Sequence, residues 1–315
     1  MSSLTENKVA VLGASGHIAQ GLVYNFSKHG WKNVHLFARS KEKVVAFLER
    51  TGCQRYEIHP FDELERYDYR AVINCVGAGT PAKVKAAGGE IFFLTEDFDN
   101  IVLRYLRKHP RAKYINFSSG AVYGTFFPEK VNDSSRMSIG VNGIKPDEYY
   151  GIAKLHSEAK HRAIPAFHIV DIRVFSYFSR FIDLESGYFL TELIKCLKAG
   201  RTFVTNQCDF MRDFISPEDL FALVALIIRG RGFNRAVDAY SSSPINKFKL
   251  LDFFSDKYSL NYAFDEELAF SGPTGEKNHY YSGSKKAAGI GYRPKFSSIA
   301  GIAAETTEIM RMADD

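Results

Sequence analysis

Short β-branched runs alternate with helical stretches through residue 175, a pattern that predicts an α/β protein with a doubly wound parallel sheet. Two further observations support this. A glycine turn, GASG, directly follows the first strand and opens a helix. The alternation then weakens after Phe175, which predicts a smaller C-terminal lobe. The chain has 315 residues, 45% hydrophobic and 24% charged, enough to bury a full core in two unequal parts.

Strands are expected where β-branched and aromatic residues cluster: Lys8 to Leu12, Asn33 to Ala38, Ala71 to Val76, Lys113 to Phe117 and His168 to Phe175. Helices are expected between them, at His17 to Lys28, Lys41 to Arg50, Phe98 to Lys108 and Tyr150 to Ala163. Beyond Ser176 a helix is expected over Tyr188 to Ala199. The boundary therefore falls between 1–175 and 176–315, with a segment at about 209–240 returning to the first unit. One long loop, Thr125 to Glu148, is rich in Asn, Ser, Gly and Pro; loops of that length usually serve function.

Composition excludes several classes. The longest apolar run, Phe221 to Ile228, is far short of the roughly 20 residues that span a bilayer, so no membrane segment is expected. The start, MSSLTENKVAVLGASG, has no basic region or cleavage site of a secretory leader, so a cytoplasmic location is expected. Four cysteines without a Cys-x-x-Cys read as reduced thiols, and no metal site is expected. The net charge of +5 is dispersed, with no run of five Lys or Arg. That argues against nucleic acid and suits small phosphorylated ligands.

The segment KVAVLGASGHIAQGL carries the first chemistry. Gly13 can take the tight turn, Gly16 lets backbone approach a pyrophosphate, and Ala19 allows close packing of helix on strand. Ser15, His17 and Ile18 join them as expected dinucleotide contacts, which makes the expected sheet Rossmann-type. A NAD-selective site usually carries Asp or Glu after the second strand. Here Arg39 and Ser40 stand there, so NADP(H) is favoured, with NAD(H) as the alternative.

A proton must accompany hydride transfer at a hydroxyl or carbonyl, and a tyrosine paired with a lysine one helical turn on can move it. With 17 tyrosines, about one Tyr-x-x-x-Lys arises by chance. There are three: Tyr24 with Lys28, Tyr150 with Lys154, and Tyr281 with Lys285. The first lies in the helix after the glycine turn and the third near the C-terminus with no preceding strand. Only Tyr150 and Lys154 open a helix downstream of a strand end, KYINFSSGAVYG, and a long loop.

These pieces in this order, GASGHIA, VINCVGAG, SSGAVYG, YGIAK, IRVFSYFS, RDFISPEDL and GYRPKFSSIAGI, resemble the extended short-chain dehydrogenase/reductases, the nucleotide-sugar epimerase/dehydratase group, over almost the whole chain. The resemblance implies Tyr150 as acid/base and Lys154 as the lysine that tunes it and holds the nicotinamide ribose. It implies Ser119 as the hydroxyl on the reacting oxygen, with Ser118 beside it. It further implies that the smaller C-terminal lobe is substrate-binding, with contacts from Ser176, where many sugar enzymes keep Asn, and from Arg212, which would reach a diphosphate or else pair with Asp213. Asn100 resembles the residue that begins the central helix, and a homodimer is implied.

The dehydratases' Asp-Glu pair is replaced by Gly120 and Ala121, which disfavours dehydration. The expected function is an NADP(H)-dependent 4-keto reductase of a nucleotide-linked sugar, with a NAD-dependent epimerase as alternative. A noncatalytic NADP(H)-sensing protein predicts loss of the tyrosine or lysine, and both are kept.

Overall fold

The computed structural model describes residues 8–267 and 277–312. The leader-free start expected over the first seven residues lies outside the described residues. Seven parallel strands form the main sheet: β1 Val9–Leu12, β2 Val34–Phe37, β3 Glu57–His59, β4 Ala71–Asn74, β5 Lys113–Ser119, β6 His168–Val174 and β7 Arg235–Asp238. Their order is β3-β2-β1-β4-β5-β6-β7. The order reverses between β1 and β4, the crevice where such sheets bind ligands.

Nine helices are described: α1 His17–Lys28, α2 Lys41–Thr51, α3 Pro81–Ala87, α4 Glu90–Lys108, α5 Tyr149–Arg162, α6 Phe189–Lys198, α7 Pro217–Arg229, α8 Lys247–Tyr258 and α9 Ser298–Arg311. Alternation along each strand sends side chains to two apolar layers. Val9, Val11, Leu36 and Ile73 pack into one with α1, α2 and α7. Ala10, Leu12, Phe37 and Val72 enter the other with Val102, Tyr105 and Leu106 of α4. A third core holds α6, α8 and α9 together through Leu193, Ile194, Leu250, Phe254 and Ile302.

Local chemistry accounts for the helix starts. Ser216 accepts from Asp219 N at 3.1 Å, Pro217 follows, and Glu218 and Asp219 fill the first turn, so SPED opens α7 with cap, ring and charge together. Asn246 caps α8 and Ser297 caps α9 in the same way. Helix α7 packs on α1 and β7 pairs with β6, so residues 217–238 lie against the first unit.

Two readings are corrected. Helix α4 begins at Glu90, just after Gly88 and Gly89, so Asn100 sits in mid-helix and does not begin it. Its side-chain oxygen accepts from Lys160 Nζ at 2.9 Å. Strand β3 and α3 escaped the reading altogether, because three and seven residues are too short for a period to show.

Candidate active site

The glycine turn sits at the sheet's crossover. Gly13 has φ +75°, and a Cβ there would lie 3.0 Å from Val76 Cγ2 and 3.1 Å from backbone of Cys75. Gly16 has room for no more, with Gly13 O 3.2 Å from a Cβ. Helix α1 then opens with no side-chain cap and no acidic residue in its first turn. Uncapped N–H groups, a positive helix end and bare glycine backbone suit a pyrophosphate, so these residues fit a dinucleotide.

Ser15 is exposed and Ile18 partly buried at this helix start. His17 turns toward the neighbouring loop, its Nε2 2.7 Å from Ser179 Oγ and its ring 4.7 Å from that of Tyr177. Burial holds its pKa down at about 4, so it stays neutral. Beyond β2, Arg39 is exposed, and the Ser40 hydroxyl donates to Glu42 Oε2 at 3.0 Å.

The β5 strand ends in Ser119, which is 7% exposed and whose Oγ accepts from Ala121 N at 3.2 Å. That contact starts a 3-10 turn, Gly120–Tyr123. No side chain fits at Gly120, where a Cβ would meet Phe175 Cδ1 at 2.4 Å. Gly151 is equally crowded, its Cβ position 2.4 Å from Ala121 O, and this close approach seats the first turn of α5 against the Ser119 turn.

On that turn of α5, Tyr150 lies close enough to Ser119 for the hydroxyl to act on its phenol. Burial pushes its phenol up, and the Ser119 hydroxyl offsets part of the rise. Lys154 is 4% exposed, donates to Phe117 O at 3.0 Å, and holds its Nζ 6.0 Å from the Tyr150 ring centre. Burial lowers its pKa, while Asp99, Asp171 and Glu158 work the other way. The lysine is thus fixed by the β5 backbone.

The other candidates divide. Ser118 is a correction: its hydroxyl donates to Glu158 Oε1 at 2.6 Å, within a cluster that includes Arg173, so it is committed to the protein and not to a substrate. Ser176 lies on the short strand Ser176–Tyr177, paired with Phe214–Ile215. Arg212 is not paired with Asp213, whose Oδ1 accepts instead from Ser241 N at 2.9 Å. Arg212 donates to Met211 O at 3.0 Å and lies 4.6 Å over the Phe210 ring; among the described residues no carboxylate meets it. Tyr24 packs on Phe181 and Lys28 pairs with Glu218 at 2.9 Å, while Lys285 stands 3.7 Å over the Tyr240 ring. Only one of the three Tyr-x-x-x-Lys pairs meets Ser119.

Three residues at this place were missed from the sequence. Tyr280 Oη lies 3.2 Å from Ser119 Oγ, across 161 positions of chain. Lys277 holds its Nζ 4.1 Å over the Tyr280 ring, with Arg212 5.9 Å from the same ring. Tyr188 donates to Gly79 O at 2.9 Å. Burial brings Lys277 down to about 7, with Arg212 adding to the effect, and brings Arg212 down to about 10. Two half-buried cations, which no carboxylate among the described residues meets, make an anion-seeking wall. The wall is held by the long loop: Val131 N donates to Tyr281 O at 3.1 Å and His279 N to Phe127 O at 3.0 Å.

A family model described as NAD dependent epimerase/dehydratase family matches residues 9–237. Among solved structures, UDP-glucose 4-epimerase from Thermotoga maritima is 15% identical, with a TM-score of 0.79 over 96% of this chain and 98% of that one. UDP-N-acetylglucosamine 4-epimerase from Methanobrevibacter ruminantium is 16% identical, with a TM-score of 0.80 over 98% and 100%. dTDP-glucose 4,6-dehydratase from Streptomyces venezuelae is 14% identical, with a TM-score of 0.76 over 96% and 97%. Comparison by sequence with the curated proteins gives no match. At these identities the structures establish a shared fold from end to end, and the family match spans most of the chain. The protein therefore belongs to the NAD dependent epimerase/dehydratase family.

Proposed function

We propose that the protein is an NADP(H)-dependent reductase of a nucleotide-linked keto sugar, acting at the 4-keto position. The observation that carries this reading is the meeting of Ser119, Tyr150 and Lys154 at the sheet crossover, beside the half-buried cations Arg212 and Lys277. The Gly13 to Ile18 turn would hold the dinucleotide pyrophosphate, and Lys154 its nicotinamide ribose. When bound, that group supplies hydride to the substrate carbonyl carbon. Arg39, exposed past β2 where no acid stands, supports the 2′-phosphate of NADP(H).

The chain's own part is proton supply and orientation. Ser119 Oγ orients the carbonyl oxygen, and Tyr150 delivers the proton to it. A phenol that burial keeps protonated is suited to donation. Arg212 and Lys277 hold the diphosphate of the sugar nucleotide, and Tyr280 lines the sugar side through its contact with Ser119. Dehydration needs an acid and a base next to Ser119, and the Phe175 ring leaves no room for a side chain at position 120.

Epimerisation is the second reading, supported by solved relatives such as UDP-glucose 4-epimerase crystallised with NAD. The two part on cofactor exchange. Nucleotide released from the purified protein is identified, then NADPH oxidation is followed against a panel of keto-sugar nucleotides. Stoichiometric oxidation supports the reductase; tightly held NAD with no net oxidation overturns it in favour of the epimerase. Tyr150→Phe is expected to lower kcat by about 100-fold or more with cofactor affinity unchanged. Equal loss from Tyr149→Phe alone would move the role to the other ring.

A further inference from the structure

At the far edge of the sheet, β2 and β3 bring together three metal-ligating side chains. Parallel pairing sets His35 beside Glu57, and Phe37 beside His59. Period-two alternation then places His35, Glu57 and His59 on one face. One ligand atom from each lies within 4.8 Å of the other two. The imidazole rings are stacked, 4.9 Å between centres.

Each histidine has its Nδ1 already engaged. His35 Nδ1 lies 3.0 Å from Tyr69 Oη, and His59 Nδ1 lies 3.1 Å from Glu63 Oε2. A carboxylate behind one ring nitrogen fixes the tautomer and leaves the other nitrogen's lone pair free, as behind metal-bound histidines. His59, only 9% exposed, has an Nε2 that is buried and makes no hydrogen bond. It stands 3.3 Å from Glu57 Oε2. A nitrogen and a carboxylate oxygen this close can both donate to one positive centre. A proton would satisfy only the Glu57 and His59 pair. A divalent ion would also use His35 Nε2, for which the described residues provide no hydrogen-bond partner.

We propose that His35, Glu57 and His59 form a binding site for a divalent ion of the zinc class, with the remaining position open to water. Two imidazole nitrogens and one carboxylate are a borderline donor set that favours zinc over magnesium or calcium. Donors this close reach metal distances of about 2.0–2.2 Å by small side-chain rotations. Glu57, 67% exposed on its side chain, gives the ion its way in from solvent. Lys8, whose ammonium lies 4.4 Å over the Tyr67 ring, and Arg66, paired with Glu63 Oε1 at 2.7 Å, balance the two carboxylates, so the draw on the ion is the local donor set and not a net negative charge. Cysteine spacing gave no hint of the site, because its ligands are histidines on adjacent strands.

The test is calorimetric titration of the chelator-treated full chain with zinc chloride alone. One equivalent is expected to bind, with affinity lost in His35→Gln and His59→Gln and lowered about tenfold or more in Glu63→Gln, which removes the carboxylate behind His59. Glu57→Ala, a change at an exposed side chain, is expected to keep the fold and weaken binding at least as much. Circular dichroism on each variant separates lost binding from lost folding. Absence of zinc binding to the unaltered chain, or binding that Glu57→Ala leaves unchanged, overturns the proposal. So does a His59 ring that stays doubly protonated by NMR at saturating zinc.

Discussion

At Lys277, burial turns an ordinary side chain into one that titrates near neutrality. Its ammonium is taken out of water beside the like charge of Arg212, and its pKa falls to about 7. Below that pH it is charged and attracts a diphosphate; as pH rises through about 7 in the free protein the proton leaves and the attraction weakens. The KM for a nucleotide sugar is therefore expected to rise on the alkaline side of neutrality with kcat little changed. Lys277→Met should raise KM about tenfold at acid pH, since a hydrogen bond to a charged group contributes roughly 1.5–3 kcal/mol, and should flatten the profile. A profile unchanged by the substitution would remove Lys277 from the anion wall. Residues of this kind leave no mark on a linear reading: Tyr280 meets Ser119 from 161 positions away, and nothing in FSGPTGEKNHY sets it apart. Gly13 and Gly16, by contrast, are readable, because a backbone turn against a strand end admits little else.

At the scale of elements, α5 carries the site at one end and a charge cluster at the other. His161, fully buried, places Nε2 2.7 Å from Asp99 Oδ1 on α4 and Nδ1 2.9 Å from Asp171 Oδ1 on β6. Burial opposes its charge, but the hydrogen bonds it donates to Asp171 and Asp99 outweigh this and lift it to about 9. The folded pKa stands above the unfolded value of about 6.5. The stability this group contributes is therefore complete below about pH 6.5 and lost as pH rises through about 9. Urea unfolding at a series of pH values should show that decline, and His161→Leu should abolish it. The substitution is expected to cost about 3 kcal/mol, the low end for an interrupted buried pair, since Lys160 and Arg162 still hold the outer carboxylate oxygens. The same carboxylates act on Lys154, so α4 and β6 set the field at the first turns of α5.

For the molecule as a whole, Phe93 on α4 is an apolar side chain left 65% exposed. A homodimer that pairs this helix with its copy would cover it, and Phe93→Glu is then expected to convert a dimer into a monomer by light scattering, with the site of each chain intact. A monomer before substitution would refute that arrangement. No helix among the described residues is long and apolar enough to cross a membrane. The alternating strands, the glycine turn and the start of α5 were legible in the chain, because each depends on neighbours within a few residues: β-branched runs, a bare turn, an i, i+4 pair. The edge strand β3 and the strand pairs of the second lobe, only two or three residues long, were not, since pairing partners rather than composition make them strands. The order of the amino acids determined that there would be a dinucleotide turn and a Tyr-x-x-x-Lys helix. Folding alone determined which hydroxyl stayed free, turning Ser118 to Glu158 and leaving Ser119 to Tyr150 and Tyr280, because a strand's alternation separates two adjacent serines onto opposite faces.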